Sequence, residues 1–350
     1  MGKILVGMSG GVDSSATAAL LLERGYEVIG VTLKLTCEEE SNNIMIQDAK
    51  KVADKLGIAH TVLDLRKDFS TNVLDYFSNT YLNGYTPNPC VMCNMKIKFG
   101  IMLEYALNIG CTHIATGHYA NILYDKNLNR WMLKKVNSNK DQSYFLYGLN
   151  QNQLSHALFP LAEFEKSKVR ELAEKYNLPV AHKEESQDIC FVKNCSHAEF
   201  IENHTGIKSL PGNFVDLNGN KLGVHNGIIN YTVGQRRGLG VALGVHMYVN
   251  SMDSKNNNII LSTRELGKCN SVIAKDCNFI PFDTLESSLK VYAKIRSRAK
   301  ETPCFIKPMR NNRIEVNFEE EQYFPAPGQS IVFYDENGYV VGGGVIEHRY

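Results

Sequence analysis

Apolar residues in the first half of the chain fall in short continuous runs separated by stretches of helical spacing. Ile4, Leu5 and Val6 open a buried-type strand, and Val12, Ala16, Ala19 and Leu20 follow on one helical face. Residues 27–33 predict a second strand, and Met45, Ala49, Val52, Ala53 and Leu56 a second helix. Residues 60–65 and 113–118 predict further strands, while Val169, Leu172, Ala173 and Tyr176 line a late helix. This alternation, from Lys3 to about Val180, predicts an α/β domain on a doubly wound parallel sheet, with ligands gathered at the carboxyl ends of the strands. Ser9, Leu33 and Gly117 stand at such ends.

The pattern changes from Gly212 onward. Short strands now alternate with the turns Asn218-Gly219-Asn220, Asn256-Asn257-Asn258 and Asn337-Gly338, which predicts antiparallel β structure. A split near Lys268 separates a small central domain from a barrel-like one, so the expected domains are 1–205, 206–268 and 269–350.

With 350 residues, 43% of them hydrophobic, the chain can bury more than one core. A net charge of +1 means that a polyanionic partner has to be met by a local basic patch. No apolar stretch reaches membrane-spanning length, and the N-terminus enters a strand with no signal-peptide shape, so a cytoplasmic protein with no membrane partner is expected. The cysteines are Cys37, Cys90, Cys93, Cys111, Cys190, Cys195, Cys269, Cys277 and Cys304. An odd, scattered set argues for reduced thiols rather than a disulfide scaffold.

The first strand runs into Ser9-Gly10-Gly11-Val12-Asp13-Ser14-Ser15. Gly10 and Gly11 let the backbone approach phosphate oxygens, the serines supply hydroxyl donors, and the first amides of the next helix point at the anion. No lysine follows the glycines, which excludes the kinase-type P-loop. A plain strand-to-helix turn capped by Ser9 or Asp13 is the alternative. The row of donors resembles the Ser-Gly-Gly-x-Asp-Ser signature of the ATP-pyrophosphatase (PP-loop) family, whose members generally cleave ATP between its α and β phosphates and adenylate a substrate. ATP contacts are accordingly expected from Gly7, Met8, Ser9, Gly10, Gly11, Val12, Asp13, Ser14, Leu33 and Gly117, with Asp13 placing Mg²⁺ near the phosphates.

Residues 86–94, Thr-Pro-Asn-Pro-Cys-Val-Met-Cys-Asn, read as a rigid loop because two prolines keep their neighbours extended. The helix expected to follow, with Met95, Phe99, Met102, Ala106 and Ile109 on one face, puts Cys93 at a helix N-terminus beside Lys96 and Lys98, a setting that favours thiolate. Cys190 follows the polar stretch 184–188. Cys90, Cys93, Cys190 and Cys195 as four ligands of a structural zinc is the competing reading.

The loop at 9–15, the segment 86–94, Ala115-Thr116-Gly117-His118-Tyr119, Lys140-Asp141-Gln142-Ser143 and Gln187-Asp188-Ile189-Cys190-Phe191 occur in the order found in the tRNA 2-thiouridylase family. The likeness continues through residues 231–239 and 294–298 and covers essentially the whole chain. It implies a PP-loop domain, a small central domain and a C-terminal antiparallel β-barrel. It implies as substrate the wobble uridine of tRNAs for lysine, glutamate and glutamine, with ATP and Mg²⁺. Cys190 then carries a persulfide sulfur delivered by a relay protein, and Cys93 is the nucleophile that releases it. The resemblance assigns tRNA contacts to Asn88, Pro89, Cys90, His118, Lys140, Asp141, Gln142, Arg296, Ser297 and Gln329.

Some family members place an aspartate proposed as a general acid or base where this chain has Cys90. Three cysteinates from Cys90, Cys93 and Cys190 around an iron–sulfur cluster form a second, less favoured route to sulfur delivery. A different PP-loop ligase or a zinc-bearing RNA-binding module are the remaining readings. The C-terminal run Lys290, Lys294, Arg296, Arg298, Lys300, Lys307, Arg310 and Arg313 contains few acids, and Lys294, Arg296 and Arg298 on alternating strand positions share one face suited to phosphate. Gln235, Arg236 and Arg237 sit among glycines in a turn, where an RNA contact and a folding role of the glycines compete.

Overall fold

The computed structural model describes residues 2–183, 189–193, 195–241 and 244–350. The polar stretch 184–188, including Gln187 and Asp188 of the Cys190 motif, lies outside the described residues. The chain forms two compact units, Met1–Val73 with Cys90–Asp188 and Gly338–Val340, and Leu74–Pro89 with Ile189–Asn337 and Val341–Tyr350.

The strands of the first unit are β1 (Lys3–Gly7), β2 (Glu27–Lys34), β3 (Ala59–Asp64), β4 (His113–Ala115), β5 (Asn121–Asp125), β6 (Arg130–Lys134) and β7 (Ala157–Leu158). Five of them make a parallel sheet in the order β3-β2-β1-β4-β7. In that sheet Leu5 of β1 stands between Ile29 and Ile114. The chain order reverses on either side of β1, so the loop leaving β1 opens at the switch point where such sheets hold ligands. Helix Val12–Glu23 is buried on nearly every side, more than an amphipathic pattern predicts, because Val169, Leu172 and Ala173 of helix Lys166–Lys175 pack in the same core. Residues 116–118 were expected to extend β4, yet the strand ends at Ala115. There Gly117 passes so close to the next helix that a Cβ would lie 2.8 Å from Asp13 Cβ and 3.1 Å from the Ser14 nitrogen. β5 and β6 form a separate antiparallel hairpin.

The second unit holds β8 (Gly212–Val215), β9 (Lys221–His225), β10 (Tyr248–Asp253), β11 (Asn258–Ser262), β12 (Lys268–Phe279), β13 (Leu289–Lys294), β14 (Thr302–Met309), β15 (Arg313–Tyr323), β16 (Ser330–Tyr334) and β17 (Val340–Arg349). The first four form a sheet in the order β10-β11-β8-β9. Here the expectation of purely antiparallel structure needs correction, since β8 and β11 run parallel. The long excursion between them supplies the crossover that a parallel return requires. The last six close into the barrel β12-β15-β14-β13-β16-β17, filled by Val272, Val291, Cys304, Ile306, Val316 and Phe333. Closure leaves no open sheet edge.

Segment 74–89 belongs to this unit through backbone and side-chain ties. Thr86 N–H donates to the Pro327 carbonyl at 2.8 Å, Gln329 Nε2 to the Pro87 carbonyl at 2.9 Å and Asn88 Nδ2 to Ser330 Oγ at 3.3 Å. Gly328, at φ +91°, makes the fit possible, because a Cβ there would lie 2.8 Å from the Thr86 carbonyl oxygen.

The basic run differs from its sequence reading. β13 ends at Lys294, so Arg296 and Arg298 lie beyond the strand and the three do not alternate along it. The Arg296 guanidinium donates to the carbonyls of Phe324 at 2.8 Å and Val233 at 3.2 Å. Neighbouring strands answer three of the other cations: Lys290 pairs with Glu319 at 2.7 Å, Lys307 stands opposite Glu315, and Arg313 grips Glu347 at 2.7 Å.

Candidate active site

The turn after β1 is shaped by its own residues. Met8 N–H continues the strand pairing to the Val31 carbonyl at 2.7 Å, and Thr32 Oγ1 donates to the Met8 carbonyl at 2.9 Å. Gly10 then adopts φ +65°, where a Cβ would lie 2.8 Å from the Met45 carbonyl oxygen. The helix cap is Gly11 and accepts no side-chain cap, so the reading of Ser9 or Asp13 as a simple cap does not hold. The hydroxyls of Ser14 and Ser15 donate to the Gly11 carbonyl at 3.1 and 2.8 Å, and Ser9 N–H donates to Ser14 Oγ at 3.2 Å. Hydroxyls and helix-start amides thus crowd one end of a cavity of about 280 Å³.

That cavity brings together many of the residues singled out from sequence. Gly7, Met8, Ser9, Asp13, Ser14, Leu33, Gly117, His118 and Gln142 all line it. Gly10, Gly11 and Val12 complete the turn. Val31, Leu35, Met45 and Met102 add an apolar wall of the kind a planar base fills.

Charge at the cavity comes from outside the loop. Asp13 Oδ1 accepts from Lys166 Nζ at 2.6 Å and from Tyr119 Oη at 2.8 Å. Lys183 Nζ donates to the Gly10 carbonyl at 3.1 Å and pairs with Asp48 at 2.9 Å, which holds that carboxyl below its ordinary range. Lys98 also lines the cavity. Lys166 and Lys183 escaped the sequence reading, and Tyr119 entered it only as part of the 115–119 motif, with no role. Lys166 and Lys183 lie 153 and 173 residues from their loop partners and carry no local signal.

His118 is buried against Phe99 and Phe159, and its Nδ1 and Thr116 Oγ1 are 2.7 Å apart. Burial, with Lys98 adding to it, holds the imidazole well below its ordinary value, so it is neutral at pH 7. Gln142 is fixed by exchange with Tyr119: its Oε1 accepts the Tyr119 N–H at 3.1 Å and its own N–H donates to the Tyr119 carbonyl at 2.9 Å. Asp141 receives the Val136 N–H at 3.2 Å and the Ser143 hydroxyl at 2.8 Å, while Lys140 is exposed.

The thiols are placed differently from one another. Helical structure begins at Pro89, not after Asn94, because a proline with fixed φ suits a first helical position. Cys93 therefore stands a full turn inside, buried, at the start of a π-helical stretch Cys93–Ile101. Such wide turns recur at functional sites. They also change the face: Asn94, Ile97 and Phe99 are the buried residues here, whereas Met95 is only half-buried. Asn94 Nδ2 donates to the Phe145 carbonyl at 2.9 Å.

Cys90 is exposed. Cys190, in the second unit, is exposed beside Phe191, whose ring is held edge-on by Phe77 at 5.2 Å and packs on Phe200. Asn88, Pro89 and Gln329 gather around the 86–88 and 326–330 segments of that unit, with Arg296 and Ser297 beyond the end of β13. Among the described residues no group of three or more His, Cys, Asp or Glu side chains stands close enough to hold a metal ion, and no helix is long and apolar enough to cross a membrane.

Over 99% of its length the chain is 49% identical to the tRNA-specific 2-thiouridylase MnmA of Caldicellulosiruptor saccharolyticus, covering 98% of that protein. The chain belongs to the tRNA-specific 2-thiouridylase MnmA family. Its MnmA relatives in Acetivibrio thermocellus and Clostridioides difficile are 47% and 46% identical, again over 99% of this chain and 99% and 98% of theirs. Three domain models match in series: a tRNA methyl transferase HUP domain at 2–194, a tRNA methyl transferase PRC-barrel domain at 198–263 and an aminomethyltransferase beta-barrel domain at 269–346. As an MnmA family member, the chain combines the parallel-sheet domain, central sheet and closed barrel described above.

Proposed function

We propose that the chain is a cytoplasmic, ATP-dependent tRNA 2-thiouridylase acting on the wobble uridine of tRNAs for lysine, glutamate and glutamine. The observation that carries this reading is the shared cavity: the phosphate-loop residues and two residues assigned to tRNA, His118 and Gln142, open into the same space. In this reading residues 1–205 carry the chemistry, 206–268 link, and 269–350 contact tRNA.

ATP lies with its phosphates on the turn after β1 and its base toward Leu33 and Met45. Lys166 and Lys183 contribute the positive charge that the loop itself lacks. Asp13 would hold Mg²⁺ together with phosphate oxygens, an arrangement that suits a cation preferring one carboxylate and several oxygens of the nucleotide. When bound, the ion neutralises charge on the pyrophosphate leaving group. The uracil O2 attacks the α-phosphorus, pyrophosphate departs, and a poor leaving group becomes a good one. The terminal sulfur of a Cys190 persulfide, delivered by a relay protein, then attacks C2 and displaces AMP. Cys93 thiolate attacks Cys190 Sγ, which releases the sulfur to the base and leaves a Cys93–Cys190 disulfide for a two-electron thiol reductant. Neutral His118 takes no proton in this scheme and contacts the nucleic acid.

Incubation with ATP, unmodified tRNA and a persulfide donor tests the reading. The expected result is one AMP for each 2-thiouridine found by nucleoside mass spectrometry. AMP without thiouridine would instead fit another adenylating ligase, and thiolation without ATP hydrolysis would overturn the reading.

A further inference from the structure

Two hairpins of this chain solve the same turn in the same way. In β5–β6, Asp125 Oδ1 accepts from Asn127 N–H at 2.8 Å and Leu128 N–H at 3.1 Å, and Asn129 takes φ +53°. In β10–β11, Asp253 Oδ1 accepts from Lys255 and Asn256 N–H, each at 3.2 Å, and Asn257 takes φ +52°. Turn chemistry accounts for the aspartate and the left-handed asparagine in both. Beyond those positions the second turn carries Ser254, Lys255 and Asn256, an ordinary polar tip.

The first turn is built otherwise. Leu123, Tyr124 and Leu128 are exposed by 45%, 46% and 49%, a concentration of apolar surface that the turn does not need. Tyr124 leans on Trp131, the only tryptophan of the chain, with ring centroids 5.2 Å apart. Lys126 is exposed between them and Arg130 stands opposite Asp125. Residues 121–140 contain Lys126, Arg130, Lys134, Lys135 and Lys140 against the single acid Asp125, whose Oδ1 accepts from the turn, in a chain whose net charge is only +1. This strip continues to the cavity: the Asp141 carboxylate ties back to Val136 N–H, and Gln142 lines the cavity itself.

Exposed aromatic faces interleaved with cations suit a polyanion that also offers bases to stack on. We infer that the β5–β6 tip is a second tRNA-contact ledge, where Lys126 and Arg130 meet backbone phosphates and Tyr124, with Leu128, packs on an unpaired base or a sugar. The inference rests on the thiouridylase reading for its ligand, and it adds a contact at positions between His118 and Lys140 to which the resemblance assigns none.

Titration of the full-length protein with unmodified tRNA at several salt concentrations tests it, using Lys126→Glu, Tyr124→Ala and, as control, Lys255→Glu on the matching turn. Lys126→Glu should weaken tRNA binding about tenfold and reduce the salt slope by about one. Tyr124→Ala should weaken it about fivefold with the slope unchanged, while Lys255→Glu stays within about twofold and ATP affinity is the same in all three. Tight tRNA binding by the parent, with both tip variants at parental affinity, overturns the ledge and leaves the thiolation reading standing. A parent that binds no tRNA overturns both. Parental tRNA affinity with turnover lost only when a donor protein delivers the sulfur assigns the tip to protein docking and equally overturns the ledge.

Discussion

The turn after β1 and the basic run of the barrel both look, in one dimension, like places for an anion, and they differ in where their neighbours come from. The turn's backbone amides and hydroxyls are arranged by residues within a few positions of one another, as in the bond from Ser15 to the Gly11 carbonyl at 2.8 Å. The barrel's cations face strands from elsewhere in the chain: Glu319 answers Lys290, Glu347 answers Arg313, and the Arg296 guanidinium is occupied by two carbonyls. Donors fixed by local backbone geometry survive folding, whereas charge counted along a strand is reassigned by its partners.

The largest effect is expected on thiolation itself, at two cysteines outside both regions. Cys93→Ser and Cys190→Ser should each abolish 2-thiouridine formation while ATP binding, measured by calorimetry, persists; residual thiolation in either would remove the roles given to them. Next comes the close approach at the turn. Gly117→Ala places a Cβ 3.0 Å from the Asp13 carbonyl carbon, within the helix backbone, and should weaken ATP binding by about 10- to 100-fold, since overpacking of this kind costs about 1–3 kcal/mol.

Lys166→Met should weaken ATP about tenfold and leave tRNA affinity alone, as expected for loss of a charge-assisted contact. ATP affinity equal to the parent's would return Lys166 to a purely structural partner of Asp13. Alkylation then contrasts the barrel's thiols with exposed ones elsewhere in the chain. Burial pushes Cys269 up to about 11 and Cys277 and Cys304 up to about 12, so these stay protonated and unlabelled at pH 8, gaining reactivity only as pH rises toward those values. Exposed Cys90, Cys190 and Cys195 should label first in peptide mass spectrometry. The smallest effect is expected from Lys290→Met, whose exposed pair with Glu319 contributes little. Unchanged melting and tRNA affinity within about twofold would sharpen the comparison, and a tenfold loss of affinity would break it.

Much of the site was legible because its signals are local. The strand, the two glycines and the serines of residues 4–15 predict their own geometry, and Leu33 and Gly117 follow from lying at strand ends of the same sheet. Cys93 was legible as a residue but not in its setting: the pattern put a helix start after Asn94, while Pro89 begins it and a π-helical stretch turns Asn94 and Ile97 inward. A proline reads equally as a loop residue or as a first helical position, and only the packing of the following turn chooses.

Sequence by itself determined the alternation of strand and helix, the donor row of the phosphate turn, the spacing of the cysteines and, through ordered resemblance, the family. Tertiary structure alone decided that Lys166 and Lys183 reach the turn, that β8 and β11 pair parallel, and that Lys290 and Arg313 of the barrel meet glutamates. The division is physical. Hydrophobic period and backbone hydrogen bonding act between residues a few positions apart, whereas ion pairs and strand registry join residues that only the folded chain brings within a few ångströms.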